Sequence, residues 1–194
     1  YLSEQGFSVS AFHGGLDQRG RESALYRFAN GSACILVSTD LGSRGLDIPD
    51  VENIIHYHMP ETKEAYLHRI GRTARWDKNG RAFFILATGE KIPDYVAGDI
   101  PNYSLSPKGM PARPRMTTLY IGKGKKDKIS KGDLVGFLCK KGGLSKDDIG
   151  RIDVRDYYCY VAVNRSKAAE MLKKVRGEKI KGLRTLVEIA APEA

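Results

Sequence analysis

Five of the chain's eight prolines (Pro93, Pro101, Pro107, Pro111 and Pro114) fall between Lys91 and Arg115, among glycine, serine and asparagine and without apolar periodicity. Proline has no backbone N–H for a helix or a central strand, and it biases the residue before it towards extended backbone. No long regular element can run through such a stretch, so the 194 residues must fold as modules on either side of it. This divides the chain into a first module over residues 1–90, a linker over 91–115, a second module over 116–190 and a tail over 191–194.

Upstream of the linker, short apolar runs alternate with helical stretches, which predicts an open parallel α/β sheet. Strands are expected at residues 9–13, 34–38, 53–57 and 82–87. One helix is expected over residues 17–29, closed by Asn30 and Gly31, and another over residues 62–72, opened by Thr62 as its cap. The chain opens on TyrLeuSerGluGlnGlyPhe, which reads as the tail of a helix, without an initiator Met or a signal peptide. That predicts a fragment whose upstream partner lies outside it.

From Met116 the rhythm becomes strand (118–122), helix (132–140), strand (149–155), strand (157–163), helix (167–175) and strand (184–190). A βαββαβ order of this length predicts a split βαβ sandwich of the α+β class. Ser130 followed by Asp133, just before Leu134, Phe137 and Leu138, is the pattern of a capping box. The two-residue period of a strand puts Tyr158 and Tyr160 on one face, and Cys159, Val161 and Val163 on the face that suits a core.

The formal charge is +9, and it is unevenly placed. Residues 1–115 hold 14 basic and 13 acidic groups, against 18 and 10 in residues 116–194, so the second stretch carries +8. An anionic partner follows, nucleic acid ahead of an anionic membrane, with an ordinary solvated lysine face as the alternative. No apolar run approaches the roughly 18 residues of a membrane span. Cys34, Cys139 and Cys159 are odd in number, far apart and in or beside apolar runs. Neither a disulfide framework nor a zinc cluster is expected, and a reducing cytoplasm suits them best.

Chemistry concentrates in two stretches about twenty-five residues apart, SerThrAspLeuGlySerArgGlyLeuAsp at 38–47 and HisArgIleGlyArgThrAlaArg at 68–75. Arg69, Arg72 and Arg75 recur every third residue, a spacing that on a helix would align their guanidinium forks on one side, towards phosphate. Arg44 and Arg69 could equally brace the loop through a carboxylate such as Asp40. His56 and His58 are expected to pack rather than bind metal, and His13, beside Gly14 and Gly15, to shape a turn.

GlnxxArg at Gln18 and Arg21, ThrAsp and ArgGlyLeuAsp between Thr39 and Asp47, and the arginine-rich octet at 68–75 occur together in an order that resembles the second RecA-like domain of DEAD-box RNA helicases. The resemblance implies that Arg72 and Arg75 act as arginine fingers on the γ-phosphate of ATP. It also implies that Gly45 and Asp47 face the nucleotide, with Asp47 at its ribose, and that His68 couples this domain to a missing first RecA-like domain. That first domain would supply Mg and most phosphate contacts, so the fragment alone is expected to show no RNA-stimulated ATPase. Gly14, Gln18, Arg21, Thr39 and Gly45 correspond to the group lining the RNA backbone. Ala74 and Trp76 depart from the commoner glycine-rich ending of the octet.

The second module resembles an RNA-recognition domain, whose sheet carries aromatic residues that stack on unpaired bases. Tyr120, Tyr158 and Tyr160 stand at the matching positions, while Asp156 and Tyr157 replace the usual basic residue and glycine. A tyrosine ladder packed under a loop is the alternative. Lys123, Lys125 and Lys126, Lys140 and Lys141, and Lys179, Lys181 and Arg184 form basic clusters suited to phosphate. LeuTyrIleGlyLysGlyLysLysAspLysIle, AspIleGlyArgIleAspVal, TyrValAlaVal and LysIleLysGly together resemble the C-terminal domain of the DbpA-type bacterial DEAD-box helicases. That resemblance implies an ATP-dependent RNA helicase, cytoplasmic and without a membrane, directed to a structured ribosomal RNA hairpin of the maturing large subunit. A non-catalytic RNA-binding or chaperone protein, or a DNA helicase of the same superfamily, would share many of these features.

Overall fold

A computed structural model describes residues 1–40, 51–73, 80–106, 109 and 111–190. The elements are β1 (Val9–Phe12), α1 (Gln18–Ala29), β2 (Ile35–Ser38), β3 (Asn53–His56), α2 (Lys63–Ile70), β4 (Arg81–Phe84), β5 (Met116–Ile121), α3 (Lys131–Lys140), β6 (Ile149–Val154), β7 (Cys159–Asn164), α4 (Arg165–Val175), β8 (Lys179–Ile180), β9 (Leu183–Arg184) and β10 (Val187–Ile189). They gather into two units, one of Tyr1–Val37 with Met110–Ala194 and one of Ser38–Gly109.

In the larger unit β5, β6, β7 and β10 form an antiparallel sheet in the order β10-β5-β7-β6, which is the strand order of a split βαβ sandwich. Alternation along β5 and β7 sends Leu119, Ile121, Cys159, Val161 and Val163 into a core closed by Leu134, Leu138, Met171 and Val175 from α3 and α4. Burying each of the large aliphatic side chains favours the fold by about 1.5–3 kcal/mol. The Ser130 hydroxyl accepts from the Asp133 N–H at 3.3 Å and the Asp133 carboxylate accepts from the Ser130 N–H at 2.8 Å, so the expected capping box starts α3. Asp148, only 5% exposed, is held well below the usual carboxylate range by Lys167 at 2.7 Å and by the Ser145 hydroxyl and N–H.

The same unit contains β1, α1 and β2. Asp17 caps α1 by accepting from the Gly20 N–H at 2.6 Å, and Asn30 with left-handed Gly31 (φ 76°) closes it.

In the smaller unit β3 and β4 pair in parallel, Asn53 opposite Arg81 and His56 opposite Phe84, with α2 as the crossover. Thr62 caps α2 as expected, accepting from the Ala65 N–H at 3.1 Å. The helix ends at Ile70 rather than near Arg72, because Gly71 is a poor interior residue and the Thr73 hydroxyl donates to the Val51 carbonyl, turning the chain back towards β3.

Other boundaries shift for local reasons. β4 stops at Phe84, before the expected Ala87, because its partner β3 stops at His56. β7 starts at Cys159 rather than Tyr157, because the Arg155 N–H donates to the Tyr158 carbonyl at 2.8 Å and leaves Asp156 and Tyr157 as a two-residue hairpin loop. The single strand expected over 184–190 is two strands. Lys181 and Gly182, at φ 49° and 77°, make a tight turn that pairs β8 with β9 before the chain enters β10.

Candidate nucleic-acid and phosphate interfaces

Within the smaller unit the arginine-rich stretch divides in two. Arg69 lies in the last turn of α2 and reaches inward: Nε and Nη2 donate to the two oxygens of Asp40 at 2.7 and 2.6 Å, and Nη1 donates to the His58 carbonyl at 2.8 Å. Arg72 lies beyond the helix end, its N–H bonded to the Arg69 carbonyl and its own carbonyl accepting from Val51. Arg69 and Arg72 therefore do not share a helical face: Arg69 braces a loop, the structural alternative, while Arg72 is carried by the turn. Arg44, Gly45, Asp47 and Arg75 lie outside the described residues. His68 and Thr39 are exposed.

His56 packs, as its apolar strand suggested. Its ring is 1% exposed and stacks on Phe84 at 4.8 Å. Burial, then the charge of Arg69, pushes its pKa down to about 4. Arg69 Nη1, 3.3 Å from Nδ1, is a donor only, so the ring nitrogen facing it must accept. Among the described residues no cluster of three or more His, Cys, Asp or Glu side chains could hold a metal ion. Of the residues assigned to ATP, Arg72 alone is described. A guanidinium on a backbone held at both its N–H and its carbonyl has the chemistry of a phosphate donor.

In the larger unit Gly14 and Gln18 are exposed and Arg21 is half-buried, its Nε enclosed without a hydrogen-bond partner among the described residues. A Cβ on Gly14 would meet none of the described residues within 4 Å, so their packing does not require glycine there. The His13 Nδ1 accepts from the Gly15 N–H at 3.2 Å, the turn-shaping role expected of it.

Tyr120, Tyr158 and Tyr160 meet on the sheet face opposite the two core helices, with ring centroids 5.3 to 6.0 Å apart. They are covered by α1. Tyr26 lies against Tyr160 at 5.1 Å, the Arg19 guanidinium sits 4.5 Å over the Tyr120 ring, and the Tyr158 hydroxyl donates to Glu22 at 2.8 Å. Burial and the Glu22 carboxylate raise the Tyr158 phenol above its ordinary range. Burial works against the Glu22 charge, yet hydrogen bonds from Gln18 and Tyr158 and the nearby Arg155 hold its carboxyl below its ordinary value. The tyrosines pack under a helix rather than under a loop. Arg19, Glu22 and Tyr26 were missed from sequence, although their spacing of three and four marks one helical face.

The basic residues fall into two groups. Lys123 pairs with Asp127 at 3.1 Å, and Lys181 reaches the Lys128 carbonyl at 2.9 Å and Asp133 at 3.4 Å. Lys125, Lys126, Lys179 and Arg184 are exposed and have no ion pair among the described residues. Cys34, Cys139 and Cys159 are free thiols, and burial pushes Cys159 up to about 11. No helix among the described residues is long and apolar enough to cross a membrane.

Residues 1–77 match the profile of the helicase conserved C-terminal domain, and residues 118–189 match that of the DbpA RNA binding domain. Fold and profiles thus define the class: a helicase conserved C-terminal domain joined to a DbpA RNA binding domain. The ATP-dependent RNA helicase DbpA of Escherichia coli (strain K12) is 40% identical over 188 residues, which cover 93% of this chain and 41% of that protein. The protein of the same name from Bacillus subtilis (strain 168) is 30% identical, over 93% of this chain and 44% of its own length. A DEAD box protein from the hyperthermophile Methanococcus jannaschii is 44% identical over 44% of this chain and 23% of that structure's chain, with a TM-score of 0.42. The chain thus resembles the DbpA helicases along both modules, and it spans somewhat over two fifths of the length of the two DbpA relatives.

Proposed function

We propose that this chain is the part of an ATP-dependent RNA helicase that completes the ATP pocket from one side and anchors the enzyme to RNA through its C-terminal module. The single observation that carries the reading is the 40% identity to the E. coli ATP-dependent RNA helicase DbpA, which runs through both modules over 93% of this chain. In the proposal residues 1–90 are the second RecA-like domain, 91–115 a tether, and 116–190 an RNA-binding domain that directs the core to a ribosomal RNA hairpin in the cytoplasm.

Transfer of a γ-phosphoryl group to water needs positioning and positive charge on the phosphoryl oxygens. Arg72 and Arg75 would supply that charge, Gly45 and Asp47 would hold the nucleoside end, and His68 would transmit the closure of the two core domains. Bound MgATP supplies the phosphoanhydride whose hydrolysis releases the RNA. Gly14, Gln18, Arg21, Thr39 and Gly45 would follow the RNA backbone. The Nε of Arg21, enclosed and without a partner among the described residues, supports that assignment, since a phosphate oxygen would satisfy it. Tyr120, Tyr158 and Tyr160 would stack on bases, and Lys123, Lys125, Lys126, Lys179, Lys181 and Arg184 would attract the backbone.

The test is RNA-stimulated ATP hydrolysis by a protein extended upstream to the length of the two DbpA relatives. Arg72→Ala and Arg75→Ala should each lower turnover by about 10³-fold or more with little change in ATP affinity. Turnover indifferent to both substitutions, or appreciable turnover by the 194 residues alone, would overturn the division of labour. Comparing RNA with DNA as activators separates an RNA helicase from a DNA helicase.

A further inference from the structure

α1 lies across the face that Proposed function assigns to unpaired bases, and it presents the chemistry of bases to it. A guanidinium plane (Arg19) sits over Tyr120, and a phenol ring (Tyr26) lies against Tyr160. Arginine planes and aromatic rings are the groups that share stacking surfaces with nucleobases. Glu22 fixes the register by accepting from the Tyr158 hydroxyl at 2.8 Å, with Arg155 3.5 Å away. At the other end of the helix Asn30 donates to the Thr118 hydroxyl at 2.8 Å, and that hydroxyl donates to Ser32 at 2.9 Å. Tyr160 is 2% exposed and Thr118 1% exposed, so a base cannot reach either while the helix is docked.

We infer that α1 is an intramolecular lid on the aromatic sheet, and that single-stranded RNA gains the tyrosines only by displacing it. The inference rests on the reading of that sheet face as an RNA surface. Glu22 gives the lid a link to the other proposed RNA surface, because it also accepts from Gln18 at 3.0 Å. An RNA backbone drawing Gln18 away removes one of the hydrogen bonds that hold the Glu22 carboxylate in place. The two RNA surfaces are thereby coupled through one carboxylate, and a strand engaging the first loosens the cover on the second. The contact also makes the aromatic face selective, since only a ligand that out-competes α1 enters.

The test uses the 194-residue chain and a fluorescein-labelled oligouridylate as the probe. Tyr26→Ala removes the ring that lies on Tyr160 without changing net charge, so a change in affinity is not general attraction. If docking leaves about a tenth of the molecules open, this variant binds the probe about tenfold more tightly than the wild type. Amide hydrogen exchange on the wild type should show residues 18–29 losing protection when the probe saturates the chain. Binding that leaves that protection intact, with Tyr26→Ala no tighter than wild type, overturns the lid and spares the RNA-binding reading. Failure of both chains to bind the probe overturns the RNA reading of the sheet, and the lid falls with it.

Discussion

Arg69 and Asp40 are joined at both prongs, Nε to Oδ1 at 2.7 Å and Nη2 to Oδ2 at 2.6 Å, so the last turn of α2 is tied to the residue that follows Thr39. A two-pronged pair of this kind fixes orientation as well as distance. Arg69 is 19% exposed but Asp40 is 55% exposed, so solvent screens part of the attraction. Arg69→Ala should destabilise the smaller unit by about 1–2 kcal/mol in urea melts. Arg69→Lys should recover less than half of that, because an ammonium cannot donate in parallel to both oxygens. Full recovery by lysine would mean that charge alone matters at this position.

His56 makes that unit sensitive to acid. Its folded pKa of about 4 lies below the ordinary value of 6.5, so between these pH values the unfolded chain binds a proton that the folded chain does not. The stabilisation is fully present above pH 6.5 and is lost as pH falls towards 4. The loss has a limiting slope of about 1.4 kcal/mol per pH unit. His56→Phe keeps a flat ring against Phe84 and removes the titration. Denaturation from pH 7 to pH 4 should show the wild type losing stability faster than this variant, and parallel curves would argue against a neutral buried imidazole.

Much of this architecture was legible because local signals agreed with it. Thr62 and Ser130 read as caps from sequence, and each accepts the expected N–H. The alternation of Cys159, Val161 and Val163 gave the core face correctly, since period two is enforced wherever one face is buried. The β8 to β9 turn was not legible. Lys181 adopts a left-handed conformation that sequence rules reserve for glycine and asparagine, and its side chain bonds to Lys128 and Asp133 far along the chain. The cover over the tyrosines was missed for a similar reason: Glu22 and Tyr158 are 136 positions apart, and periodicity carries no information about such a pair.

Gly124 and Gly136 should respond to alanine in opposite directions. A Cβ on Gly124 would stand 2.3 Å from the Arg155 carbonyl oxygen and 2.6 Å from that of Asp156, both backbone atoms of the β6 to β7 turn. Gly124→Ala should therefore force that turn apart and cost about 3 kcal/mol. Gly136 lies inside α3 with nothing within 4 Å of the added carbon. Gly136→Ala should stabilise the larger unit by about 0.5–1 kcal/mol, through lower unfolded-chain entropy and better helix propensity. Thermal melts of the two variants should fall on either side of the wild type.

The lysines of the loop after β5 should separate by their existing partners. Lys123 is engaged with Asp127, whose other oxygen accepts from the Gly124 N–H at 3.1 Å, so Lys123→Ala weakens the turn itself. Lys125 and Lys126 stand exposed on a short turn anchored by their own N–H groups, at 2.8 Å to the Arg155 carbonyl and 2.9 Å to that of Asp156. Their ammonium groups can meet phosphate without breaking any existing pair. If each meets one phosphate of a single strand, replacing both by alanine should reduce the slope of log affinity against log salt by about 1.4. The melting temperature should hardly move, because neither side chain supports the fold. Fluorescence titrations over a salt series measure the slope directly, and an unchanged slope would place the RNA path elsewhere, with Lys179 and Arg184 next to be tested.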